Sequence, residues 1–279
     1  MSEPPSILMV TWNRREYFER TLANLLQDSS DFRLHMWDNG SVDGVADLIA
    51  DLRDERIVAK KLNPSNAGQP EPWHWFMEAA SGEVAGKLDD DILAPAGWMT
   101  RFSDMLLDEP RLGTLGAWVF LESEWDEEAA SHKIVTVGRH RIFRSHGVPG
   151  GIFLGRLQNL KRYTKRDPSI LGIPLAQAAM SRDGFVNGYP LPLVFAEHLD
   201  DPRSPHCRMN RPGGWDQFAA YTARMRGFTG PEEYGRWIAA DARYVLETPF
   251  KQQLRAMDPP WQDRLWAKVR RRLSLGRSK

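Results

Sequence analysis

Apolar runs and amphipathic stretches alternate along the first ninety residues. Ile7–Val10 is a short apolar run, entered from a proline-rich lead and left through the polar Thr11-Trp-Asn-Arg-Arg15, which marks a buried strand. From Glu16 to Gln27 the positions Tyr17, Phe18, Leu22, Leu25 and Leu26 recur at three- and four-residue steps and predict a helix with one apolar face. Phe32–Trp37 alternates as a second strand and ends in Asp38-Asn-Gly-Ser-Val-Asp43, a loop that opens a helix over Val45–Leu52. A third strand over Ile57–Leu62, a turn at Asn63–Gly68, a helix over 72–80 and a strand over 83–88 complete the series. The last strand stops at Asp89-Asp-Asp91.

This rhythm predicts an α/β fold with a Rossmann-like, mostly parallel sheet flanked by helices. In open α/β sheets ligands bind at the C-terminal ends of the strands. Thr11, Asn13, Asp38, Asn63, Asp89 and Asp91 are therefore expected to face one crevice. Further on, a helix carrying Trp98, Phe102, Met105 and Leu106 leads to a strand around Leu115–Leu121 and then to an acidic stretch. Beyond about residue 200 the chain is rich in Pro, Gly and Arg with weak periodicity, and the expected division is a domain over 1–200 and a less regular extension over 201–279.

Composition narrows the function classes. With 37 basic and 37 acidic residues the 279-residue chain is neutral, which argues against a uniformly basic nucleic-acid binder. The single cysteine, Cys207, excludes an internal disulfide and a multi-cysteine zinc site, and favours a reduced setting. No stretch reaches the roughly 18 to 20 apolar residues needed to cross a bilayer. Met1–Ser6 lack the pattern of a secretory signal, so a cytoplasmic location is expected. Of the eleven tryptophans six fall in close pairs along the chain, Trp73 with Trp75, Trp118 with Trp125 and Trp261 with Trp266, and they read first as packing.

The neutrality is a sum of opposites. Residues 81–130 carry twelve acids against three bases, Lys87, Arg101 and Arg111. Three consecutive aspartates after a strand repel one another, and a divalent cation relieves that repulsion. In an extended stretch Asp89 and Asp91 project to one side and Asp90 to the other, so Asp89 and Asp91 are the expected ligands for Mg2+ or Mn2+.

Four segments in order, Ser6–Arg14, Trp37–Asp43, Asn66-Ala-Gly68 and Leu88-Asp-Asp-Asp-Ile-Leu-Ala-Pro95, resemble the nucleotide-diphospho-sugar glycosyltransferases of the GT-A fold, family 2 in particular. The resemblance implies transfer of a sugar from a nucleotide sugar, typically UDP-linked, to a glycan or lipid-linked acceptor. It places Thr11, Asn13 and Arg14 near the base and ribose of the donor, with Gly68 and Asp90 in the same binding set. Asp38 would accept a hydrogen bond from the nucleobase, and Asp89 and Asp91 would hold Mn2+ or Mg2+ on the diphosphate. Gly150–Arg156 resembles the family's acceptor-side small-residue segment. Gly184–His198 resembles a later strand that often ends in a histidine, which gives His198 a place at the metal or diphosphate.

One departure stands out. Inverting members carry an acidic pair expected near Gly172, where this chain has Ile173-Pro174. The carboxylates available instead are Asp167, Glu197, Asp200 and Asp201, and the pair Asp200 and Asp201 is the choice for a catalytic role, with loop capping as the alternative. An inactive relative that only binds nucleotide sugar or glycan, and a sugar-phosphate nucleotidyltransferase, are the competing readings. Finally, Trp261, Leu265, Trp266, Val269 and Leu273 can share a helical face, and residues 264–279 carry seven positive charges and none negative. Such a tail suits peripheral contact with an anionic membrane on its cytoplasmic face, or docking on the domain.

Overall fold

The computed structural model describes residues 3–164 and 173–257. In chain order the first half contains β1 (Ser6–Thr11), α1 (Arg15–Gln27), β2 (Arg33–Asp38), α2 (Val45–Asp51), β3 (Ile57–Leu62), α3 (Pro70–Ala79), β4 (Val84–Leu88), β5 (Ile92–Leu93), α4 (Trp98–Asp108) and β6 (Leu112–Gly116). Then come α5 (Glu127–Ala130), β7 (Ile134–Val137), β8 (His140–Ser145), β9 (Ile152–Arg156), α6 (Leu157–Thr164), α7 (Ile173–Arg182), β10 (Val186–Pro190) and β11 (Glu197–His198). Helices α8 (Gly214–Phe218), α9 (Tyr221–Met225), α10 (Pro231–Glu247) and α11 (Phe250–Met257) follow.

Among the described residues nine strands form one sheet in the order β3-β2-β1-β4-β9-β6-β10-β8-β7. Seven of them run one way, and only β8 and β9 run against them. Both faces are covered, which is why the strands read as continuous apolar runs. Ile7, Met9, Leu34, Met36, Ile152 and Leu154 pack on one side with residues of α1, α2 and α4. Leu8, Trp37 and Phe153 face the other side, against α3, α6, α7 and the end of α10.

The strand order explains where a crevice opens. From β1 the chain winds outward to β2 and β3, and then returns through α3 to β4 on the other side of β1. The winding thus reverses between β1 and β4, and the C-terminal ends of these strands, Thr11 and Leu88, flank the switch point. A second, two-stranded ribbon sits above it: β11 pairs antiparallel with β5, setting His198 opposite Ile92.

Two expectations need correction. The strand anticipated at Leu115–Leu121 begins earlier and ends at Gly116, with only a bridge from Trp118 to Phe195 beyond it. The stretch after 200 is more helical than its composition suggested, since α10 runs for 17 residues. Its Pro231 at the first turn and the apolar spacing of Tyr234, Ile238, Ala242 and Leu246 are a helix pattern that the surrounding Pro, Gly and Arg obscured. Residues 261–279, including the basic tail, lie outside the described residues, as do Asp167 and Gly172.

Candidate active site

The wall at the ends of β1 and β2 is built from backbone turns. Thr11 lies beside Asp38 at the ends of β1 and β2, and both are buried. Asp38 accepts from the Ser41 amide at 3.2 and 3.3 Å, which fixes the carboxylate in its own turn. Asn13 adopts a left-handed backbone (φ 54°), a conformation asparagine tolerates. It donates its amide to Ser41 Oγ and accepts from the Val42 amide, so the β1 and β2 loops are stitched together. Asp43 takes the Arg15 amide at 2.8 Å, satisfying an open N–H at the start of α1.

Asn39, missed by the sequence reading, is the hub of the next turn. Its side chain donates to Asn66 Oδ1 and to the Gly68 carbonyl, and accepts from the Ala67 amide. Gly40, at φ 76°, has the Ser65 backbone so close that a Cβ would sit 2.4 Å from a carbonyl carbon. The two motifs Asp-Asn-Gly and Asn-Ala-Gly are therefore one structural unit. Gly68, at φ 86°, lies at its lip. Trp12, just past the end of β1, is 45% exposed.

The acidic segment differs from its sequence picture. Residues 89–91 form a turn between β4 and β5, not an extended stretch, so the alternation expected of their side chains does not hold. Asp89 pairs with Lys87 at 2.5 Å, and its amide donates to the Gly151 carbonyl. A Cβ on Gly151 would lie 2.9 Å from Asp89 Oδ2, which accounts for a small residue there. Asp90 and Asp91 instead both meet Arg14, at 3.4 and 2.7 Å. The second terminal nitrogen of Arg14 reaches Asp200. The resemblance places Arg14 near base and ribose; here its guanidinium lies on three carboxylates.

Electrostatics follow from that geometry. Burial pushes the Asp90 carboxyl up to about 7 against the pull of Arg14, with the charge of Asp91 adding to the rise. Burial acts the same way on Asp91, but Arg14 and His198 outweigh it and hold that carboxyl below the usual range. Burial opposes a charged His198, yet Asp91 at 3.4 Å from Nε2 raises its pKa. Lys87 is likewise raised despite its burial, through Asp89 and its neighbours.

The returning segment is tied down by α1. The Tyr17 hydroxyl donates to the Leu199 carbonyl and accepts from the Arg208 amide, and its ring lies 4.3 Å from the Arg208 guanidinium. Asp200 is 4% exposed, and its Oδ1 is buried with no hydrogen-bond partner. Asp201 has a local partner: it accepts from Arg203 Nε and Nη2, and Arg203 in turn reaches Glu124 at 2.5 Å. Glu197 faces away into a loop, accepting from Ser204 and contacting His206, each at 2.6 Å. At the start of α7 the first turn carries no acid.

Among the described residues no three His, Cys, Asp or Glu side chains converge as a metal trio. Asp91 and His198 nonetheless offer one carboxylate and one imidazole side by side, and Arg14 links Asp91 to Asp200. That donor set fits an ion that completes its shell with substrate phosphates rather than with protein ligands.

A model of glycosyl transferase family 2 matches residues 6–186, more than half of the chain. The chain belongs to glycosyl transferase family 2. Its architecture is that of GT-A glycosyltransferases: the mannosyltransferase PcManGT from Pyrobaculum calidifontis, in complex with GDP-Man and Mn2+, superposes with a TM-score of 0.57 at 16% identity, over 98% of this chain and 81% of that one. TarS of S. aureus, in complex with UDP-GlcNAc, gives 0.53 at 13% identity over 91% and 84%. At these identities the likeness speaks for the fold. An uncharacterized glycosyltransferase of Nostoc sp. (strain PCC 7120) is 32% identical over 95 residues, covering 32% of this chain. The match spans 29% of that curated relative's length. No helix among the described residues is long and apolar enough to cross a membrane.

Proposed function

We propose that this family 2 member transfers a sugar from a nucleotide sugar, UDP-linked, to a hydroxyl of a glycan or lipid-linked acceptor. The observation that carries the reading is the meeting of two assemblies at the switch point of the sheet: the Asp38–Asn39–Gly68 turn unit and the Asp91–His198–Asp200 cluster. Thr11, Asn13, Asp38 and Gly68 serve the base and ribose, with Asp38 accepting from the nucleobase. Asp89 and Asp90 border the ribose and diphosphate.

Asp91 and His198, with Asp89 at the rim, hold Mn2+ or Mg2+ in this reading. The chemistry such an ion supplies when bound is neutralisation of the charge that grows on the departing nucleoside diphosphate. Asp200 takes the proton of the acceptor hydroxyl as the new glycosidic bond forms and the sugar–phosphate bond breaks. The base falls to Asp200 because its Oδ1 has no hydrogen-bond partner, whereas Arg203 bonds both oxygens of Asp201 and the first turn of α7 has no acid. The basic segment 261–279 serves as a peripheral anchor to anionic lipid, which brings the site to a lipid-linked acceptor.

The test of the donor is a thermal-shift screen of nucleotide sugars with Mn2+, which needs no knowledge of the acceptor. UDP-sugars are expected to raise Tm more than GDP-sugars. Equal or greater stabilisation by GDP-sugars overturns the nucleotide assignment, and no stabilisation by any of them overturns the donor.

A further inference from the structure

Arg14 stands on three aspartates drawn from two distant stretches of chain. One terminal nitrogen contacts Asp90 and Asp91, and the other contacts Asp200. Its side chain is 25% exposed, while those of the three carboxylates are 5 to 8% exposed. Burying three carboxylates together is unfavourable without a counter-charge. The guanidinium supplies positive charge at the same carboxylates that the proposed divalent ion would use.

Two details set Arg14 and such an ion against each other at Asp91. The oxygen that Arg14 contacts at 2.7 Å, Asp91 Oδ2, is the same atom that faces His198 Nε2 at 3.4 Å. An ion bound to that oxygen at roughly 2.0–2.2 Å would share one atom with the guanidinium, and the two positive charges would repel at close range. Asp200 is covered by the same group, since Nη2 belongs to the same rigid planar fork. The fork cannot leave Asp91 without shifting on Asp200, whose second oxygen is buried and unpartnered.

We infer that Arg14 is a positioning residue that acts as a resident counter-cation: it closes the Asp90–Asp91–Asp200 cluster and competes with an incoming ion for Asp91, and its release from Asp91 uncovers Asp200 for the acceptor. This inference rests on the metal-dependent reading above. It makes metal entry a competition within the protein. The ion alone binds poorly, and a diphosphate that brings its own negative charge tips the exchange.

The experiment is a Mn2+ titration followed by the electron paramagnetic resonance of the free ion, on the full chain, with and without UDP. Wild type, Arg14→Lys and Arg14→Met are compared. With Mn2+ alone, Arg14→Met is expected to bind about tenfold tighter than wild type, the scale of removing one partly exposed positive charge near a carboxylate. Arg14→Lys keeps the charge and loses the fork, and is expected to bind about threefold tighter. The gain in Mn2+ affinity on adding UDP is expected to be larger for wild type than for either variant. Wild-type Mn2+ affinity in both variants, with cooperative urea unfolding retained, overturns the inference and leaves the metal reading standing. If Arg14→Met does not fold, Arg14→Lys decides by the same criterion. Failure of all three proteins to bind Mn2+, even with UDP, overturns the metal reading and the inference together.

Discussion

The two walls of the site are held by different means. The donor wall, from β1 through the Asn66–Gly68 turn, is fastened by short loops whose amides and small side chains bond to one another: Asn13 to Ser41 and Val42, Asn39 to Asn66, Ala67 and Gly68. The opposing wall, from Glu197 to Arg208, is fastened by side chains reaching across the molecule, with Tyr17 bonded to Leu199 and Arg208 and with Arg14 on Asp200. A pocket that recognises a common feature such as a nucleotide gains from a preformed cradle of backbone groups. The wall proposed to carry the proton acceptor is instead set by a few side-chain contacts from across the molecule.

The sharpest way to break this division is at the joint. Asp91→Ala is expected to lower sugar transfer and donor hydrolysis by on the order of a thousandfold with the fold intact, and wild-type activity in a Mn2+ assay would show that the metal does not sit there. Next in size, Asp200→Asn should reduce kcat by about a hundredfold while leaving UDP affinity within a few-fold, because its contact Arg14 stands on the carboxylate cluster and not in the Asp38–Asn39–Gly68 turn unit. A matched loss of UDP binding in calorimetry would erase the distinction between the walls. Tyr17→Phe removes the tether between them and leaves the Leu199 carbonyl and the Arg208 amide without their buried partner. It is expected to cost about 1–3 kcal/mol in urea unfolding and to raise the acceptor KM more than the donor KM.

The last effect is absent at neutral pH and concerns β2, beneath the donor wall. His35 on β2 is buried edge-on against Trp75 and Phe76, with neither ring nitrogen bonded, and burial, aided by Arg33, lowers its pKa to about 4 from 6.5. The unfolded chain therefore binds the proton first as pH falls. The stability that the neutral ring provides is complete above pH 6.5 and is lost toward pH 4, with a slope of up to about 1.4 kcal/mol per pH unit. His35→Met should flatten the urea midpoint across that window. An unchanged slope would assign the acid sensitivity to the carboxylate cluster instead.

The donor wall was legible in the sequence because its determinants are local. Period-two and helical spacings marked β1 to β4, and the polar loop tips announced the crevice edge. Asn39 escaped because it reads as one more turn residue, although the sequence Asp-Asn-Gly placed it at a loop tip. The returning wall was less legible, since nothing near Asp200 in the chain says that Arg14 is its partner. Residues 89–91 were misjudged as extended because a strand pattern does not reveal that a turn begins one residue after it ends. Lys87, the single charge within an apolar strand, was a usable signal for a functional neighbour and points at Asp89. Asp201 could be assigned a partner only once Arg203 was seen to fold back on it.

The pairing of β5 with β11 also sets an order in time. Ile92 and Leu93 leave the ribosome about a hundred residues before their partners His198 and Glu197, so the acidic turn is synthesised long before the imidazole beside it exists. During that interval β1 to β4 and the loops between them are complete in sequence while the β5–β11 ribbon is not. The acidic turn thus waits for a neighbour that only the second half of the chain can deliver.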